Sequence, residues 1–228
     1  MPATRLPIAL ALSLLLATGA AAAAQDGVDI DKVNGSITAD SGKVYGDLET
    51  VNGSIRLDDG AHARDAQTVN GSVKAGDNIE AEDVGTVNGA IRFGERARIT
   101  GGVETVNGGI FVDRGGNVAK SIETVNGAIG IVATEVGGNV ETVNGDVTIG
   151  IGSHVRGGLK VHKQNSTWLP IQFGNNRKPR IVIGPDAVVD GDLVFEREVT
   201  LYVHSSARIG KVTGATAIAF DTPRAPRD

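Results

Sequence analysis

The chain has 228 residues, with 22 Lys and Arg against 27 Asp and Glu, a net charge of −5 and no cysteine. The missing cysteine excludes disulfides, thiol catalysis, an iron–sulfur site and a lipidated cysteine, and the acid excess argues against a general nucleic-acid binder, whose affinity rests on neutralising phosphates. Thirty-two glycines and only 4% aromatics point to tight turns around a thin aliphatic interior, in a chain long enough for one substantial core.

Residues 1–24 carry Arg5, an apolar run from Leu6 to Leu16, and the small-residue stretch ATGAAAAA before Gln25. That order predicts a secretory signal peptide cleaved near Ala24, and so export to the periplasm or cell surface. Cleavage removes one cation, Arg5, and leaves 21 basic against 27 acidic residues, a mature charge of −6. No later stretch is apolar for long enough to span a bilayer as a helix.

From residue 25 to 161 one word recurs. Val-Asn-Gly starts at Val33, Val51, Val69, Val87, Val106, Val125 and Val143, at intervals of 18 or 19 residues. A six-residue apolar step runs inside that period: Val51, Leu57, Ala63 and Val69, then Ala75, Ala81 and Val87, with only Gly137 breaking the later series. A helix needs an apolar period near 3.6 and tolerates glycine poorly, so the hexads read as short strands with corners.

Asn-Gly between apolar residues also suits a hairpin. However, Ser54 to Leu57 is too short to pair with Ala61 to Val69, and polar breaks at Arg64-Asp65, Glu82-Asp83 and Gly101-Gly102 supply a third corner per repeat. A membrane barrel would further need aromatic girdles. The expected fold is all-β: a single-stranded parallel β-helix, or β-solenoid, of 18–19-residue triangular coils stacked about 4.8 Å apart.

On that frame Asn and Gly turn the corner in the left-handed backbone region. Asn34, Asn52, Asn70, Asn88, Asn107, Asn126 and Asn144 stack as a hydrogen-bonded ladder. The Val of each word is expected in the core, and Thr50, Thr68, Thr86, Thr105, Thr124 and Thr142 form a row beside the ladder. Glu104, Glu123 and Glu141 make an outward acidic row, a weak calcium candidate. Arg56, Lys74 and Arg92 make a basic one.

After Val161 the hexads stop. Residues 162–179 read as an inserted loop holding the single Trp168. From Lys160 to Arg180 there are five cations, Lys160, Lys163, Arg177, Lys178 and Arg180, and no acid. With Trp168 and Phe173 they are the candidate ligand-binding residues, suited to an anionic polymer or headgroup; the competing expectation is a flap packed on the coils. Residues 180–214 resume the hexads as closing coils, and 215–228 read as a tail with a disordered end.

The repeated VNGSI, VNGAI and VNGDV behind a signal peptide resemble a family of bacterial β-solenoid proteins classed as adhesins, over about residues 26 to 161. IVIGPDAVVDGDLVF resembles a coil of bactofilins, polymer-forming β-helical scaffolds. The first resemblance implies right-handed coils and a structural or adhesive role in the cell envelope. The second implies a self-assembling scaffold.

Catalysis is weighed separately. His62, His154, His162 and His204 fall at unrelated coil positions, unlike the histidine base of hexapeptide acyltransferases. No catalytic constellation and no cofactor motif stands out, so no cofactor is expected and the protein is read as a non-enzyme. The alternative is a glycan-binding or polysaccharide-cleaving β-helix acting through residues 160–180. Envelope polysaccharide or a second copy is the expected partner.

Overall fold

Sides of two to eight residues cannot bury themselves, so each must find its partner in the next coil. The computed structural model describes residues 27–163 and 177–226; the expected signal peptide of residues 1–24, Trp168 and Phe173 lie outside the described residues. It is all-β, and every strand pairing is parallel, between a side and the same side one coil on.

Three sheets result. Sheet one has ten strands, from Val28–Asn34 to Val212–Thr213, and sheet two has ten, from Ile37–Ala39 to Ala217–Phe220. Sheet three has seven, from Glu80–Ala81 to Arg208–Ile209, preceded by the single bridges Val44 to His62 and His62 to Glu80. This is the β-solenoid the periodicity predicts.

Each side sends two residues inward. In one middle coil these are Val84 and Thr86, Ile91 and Phe93, Ala97 and Ile99, all buried. The threonines are therefore core residues, and the valines of the repeated word are not: Val33 is 68% exposed and Val125 half-buried. The corner explains the correction. Val51 and Asn52 still belong to the strand Tyr45–Asn52, in which Gly46, Leu48 and Thr50 are buried, so alternation puts Val51 on the outside and the inward series resumes at Ile55 beyond the corner. Threonine is tolerated inside because its hydroxyl has an acceptor. Thr50, Thr68, Thr86, Thr105 and Thr124 donate to the carbonyl of Gly35, Gly53, Gly71, Gly89 and Gly108, one coil back, at 2.8–3.1 Å.

The asparagine ladder is continuous. Each Asn from Asn52 to Asn144 donates its side-chain Nδ2–H to the Oδ1 of the Asn one coil back, at 2.9–3.1 Å. Where the ladder ends, the Arg197 guanidinium donates to Asn144 Oδ1 and to the Val143 carbonyl.

The glycine of the word does a different job from the one its sequence context suggests. Of the seven, only Gly35 has positive φ. The others are needed for close approach: a Cβ on Gly53, Gly71, Gly89, Gly108, Gly127 or Gly145 would be driven into the carbonyl of the equivalent glycine one coil back. The left-handed residues sit at the following corner instead, at Gly42, Gly60, Asn78, Arg96, Gly115, Ala133, Gly152 and Asp186.

The break at Gly137 is a register effect. The turn before Glu135–Val136 is one residue shorter, and Val136 takes the inward place, paired with Val118 and Val155. The insertion replaces one Asn-Gly corner, since Leu159–Val161 forms side one and Arg180–Ile183 side two of the same coil. The stack also runs past residue 214, with Ala217–Phe220 paired to Thr200–His204.

Substituting Gly89→Ala should destabilise the protein by about 3 kcal/mol or more, because two backbones must separate. Asn88→Ala, which removes two exposed ladder bonds, should cost about 1 to 2 kcal/mol. Urea unfolding of both variants checks that order, which would reverse if Gly89 served only the turn.

Candidate functional site

The non-repetitive chemistry gathers where the insertion leaves and re-enters the stack. Two of the five cations named above are paired with acids of neighbouring coils. Arg177 Nη2 lies 2.5 Å from Asp146 Oδ2, and Lys178 Nζ 2.9 Å from Glu198 Oε2. The Arg180 backbone N–H donates to Asp146 Oδ1 at 2.8 Å, and its guanidinium sits 4.9 Å from the centre of the Tyr202 ring. The Lys163 backbone N–H donates to Glu196 Oε2 at 3.2 Å. Lys160 is aligned with Glu141 on one side and Val194 on the other. Asp146, Glu196 and Glu198 belong to neighbouring coils, so the neutralisation does not show in the local sequence. The two aromatic candidates, Trp168 and Phe173, fall outside the described residues.

On the outer face of sheet one, Glu104, Glu123 and Glu141 stand in register in successive strands. Glu104 is the most open of the three, Glu123 is half-buried and Glu141 is 8% exposed. Glu141 survives burial because both oxygens are engaged. Asn139 Nδ2 donates to Oε1 at 3.0 Å, and His162 Nε2 lies 2.7 Å from Oε2. The other ring nitrogen of His162 is 3.6 Å from Glu196 Oε2, so the imidazole bridges carboxylates from two coils.

Glu123 has no such partner. Burial, then the neighbouring charges of Glu141 and Glu104, push its carboxyl up to about 7, opposed only by His162. Glu104 is also raised, by partial burial and by Asp83. Further along the stripe Glu49 and Asp65 are raised, each mainly by burial. Among the described residues no three of His, Asp and Glu converge as metal ligands, so the in-register row of Glu104, Glu123 and Glu141 does not amount to a calcium cage.

The other histidines are dispersed. His62 faces Glu80, His154 lies between Glu135 and Asp190, and His204 contacts Ser206 and the edge of Phe220. The basic row of Arg56, Lys74 and Arg92 is exposed on sheet two, with Arg56 bonded to Asp58. The periodicity shows the Glu row. What it misses is His162, which occupies the outward corner position that Val143 holds one coil earlier. A titratable residue replacing a repeat valine was the available signal.

Comparison with family models, curated proteins and solved structures gives no match.

The raised Glu123 has a pH consequence. Its folded-state value lies above its ordinary 4.5, so the stability linked to its protonated form is fully present below about pH 4.5 and is lost as pH rises through about 7. Glu123→Gln should therefore raise stability at pH 8 by about 1 to 2 kcal/mol after allowing for solvent screening, and change little at pH 4.5. Thermal unfolding at the two pH values measures the difference.

Proposed function

We propose that the protein is a non-catalytic, exported rod with a structural or adhesive role in the bacterial envelope. The observation that carries this reading is where the repeated word goes. Its Asn and Gly, and the Thr before it, are consumed by bonds and contacts between coils, which makes them devices for holding a rod together. Ten strands at about 4.8 Å spacing give a stiff element about 45 Å long, built without a disulfide. Its outer faces carry charge in stripes, acidic on sheet one and basic on early sheet two, a pattern suited to repetitive partners such as envelope polysaccharide. The apolar residues 6–16 and the small residues before Gln25 support export.

Fractionation of cells expressing the full chain should place it in the periplasm or at the surface. The purified mature chain should co-sediment with isolated cell-wall polysaccharide without releasing reducing ends. Retention of the uncleaved chain in the cytoplasm, or failure to bind the polysaccharide, would overturn the reading.

One observation favours a second reading. Glu123 and Glu141 lie in adjacent strands, one carboxyl pushed towards neutrality and the other held by His162 and Asn139. A raised carboxyl next to a second, hydrogen-bonded one suits general-acid chemistry on a glycosidic bond. That reading requires release of reducing ends that Glu123→Gln abolishes.

A further inference from the structure

Two outer faces of the rod carry charge columns of opposite sign. On sheet two Arg56, Lys74 and Arg92 stand in register in successive strands, all exposed, and Phe111 continues their column with its ring over Gly130. On sheet one Glu104, Glu123 and Glu141 stand in register, beginning one coil further along the stack.

Partners within the chain divide these six charges. Arg56 is bonded to Asp58, and Glu141 is engaged by Asn139 and His162. The side chains of Lys74, Arg92, Glu104 and Glu123 make no hydrogen bond or ion pair among the described residues. What remains is two cations in adjacent coils on one face and two carboxyls in adjacent coils on another. Both pairs have the same spacing, one coil, or about 4.8 Å.

The surroundings suit contact between the two faces. By strand alternation Lys74 is flanked on its own face by Ser72 and Gly76, and Arg92 by Ala90 and Gly94, so both cationic stems rise from a floor of small residues. On sheet one Val106 and Val125 follow Glu104 and Glu123 by two residues, outward and half-buried, and put an apolar ridge beside the carboxyls.

The period selects the occupant. Charges repeating at strand spacing are met at several successive positions only by a partner of the same period, and a second copy of this rod has that period by construction. Sliding one column along the other until Lys74 and Arg92 face Glu104 and Glu123 brings no like charges of the two columns together, whichever way the second rod points. Docking also sets a cation against Glu123, the carboxyl that burial and the neighbouring Glu141 and Glu104 leave raised. A rod that offers sheet two to one neighbour keeps sheet one for another, so the contact is heterologous and extends into open arrays.

We infer that these rods associate side by side, the early outer face of sheet two of one copy lying on the outer face of sheet one of the next, with Lys74 and Arg92 opposite Glu104 and Glu123. The contact goes beyond the envelope role proposed above and depends neither on export nor on polysaccharide.

The test is sedimentation velocity of the protein purified from cells expressing the full chain, with no polysaccharide present. Association should grow with protein concentration at low ionic strength and disappear at about 1 M salt, where the screening length falls to about 3 Å. Lys74→Glu with Arg92→Glu should weaken it by about tenfold or more, and so should Glu104→Lys with Glu123→Lys, because each variant presents one sign on both faces. An equimolar mixture of the two variants should associate again, since each reversed face then meets an opposite one. Should Glu104→Lys with Glu123→Lys lose its fold by circular dichroism, Glu104→Lys alone takes its place, in the mixture as well. A protein that stays monomeric at every concentration, association that either reversal leaves unchanged, or a mixture that stays monomeric overturns the inference. Association indifferent to salt and to both reversals would place the contact at the rod ends and overturns it equally.

Discussion

Stacking at the spacing of β-strands forces each position of a coil to face its own counterpart in the next. Every residue type is therefore tested against itself. Asparagine passes because one amide both donates and accepts, so a column of them satisfies itself except at its ends. Isoleucine and valine pass by packing. Glycine passes where nothing else can, since its column brings carbonyl and Cα into contact from coil to coil. Threonine passes inside where, from Thr50 to Thr124, its hydroxyl reaches across the corner to a glycine carbonyl. Glutamate fails the same test: burial first, and then the neighbouring carboxylates of its own column, push the Glu123 carboxyl up to about 7.

This rule decides what could be read from the sequence. The repeat interval, the three corners and the ladder were legible because they depend on identity between coils, which a single chain displays as periodicity. Inside and outside at one corner were not, since Val51 and Thr50 are adjacent in one strand and both suit it, and the sequence alone does not say which of the two alternate faces is buried. The reason for Gly89 was also hidden. Local pattern suggests a turn conformation, whereas the real constraint is a backbone 18 residues away. At the insertion, part of the apparent basic charge is neutralised for a similar reason. Arg177 meets Asp146 and Lys178 meets Glu198, partners that no local window pairs.

Chemistry concentrates where self-stacking stops. The coil holding the insertion has no Asn-Gly corner, and the departures cluster around it. Thr142 is buried with its hydroxyl unpartnered among the described residues. Arg197 takes over the last ladder carbonyl, and His162 replaces a corner valine and joins Glu141 to Glu196.

The same logic separates the ends of sheet two. Its early outward column is Arg56, Lys74 and Arg92, like charges that can stay stacked because they reach into water. Its late column is Thr148, Val182, Tyr202 and Ile218, whose apolar members need a cover that the next coil cannot supply, because they point away from the stack. A solenoid solves burial along its axis and along its core, but not on its outer faces. The late column is covered only in part: Ala225 packs against Val182, Tyr202 and Phe220, while Ile218 stays 46% exposed.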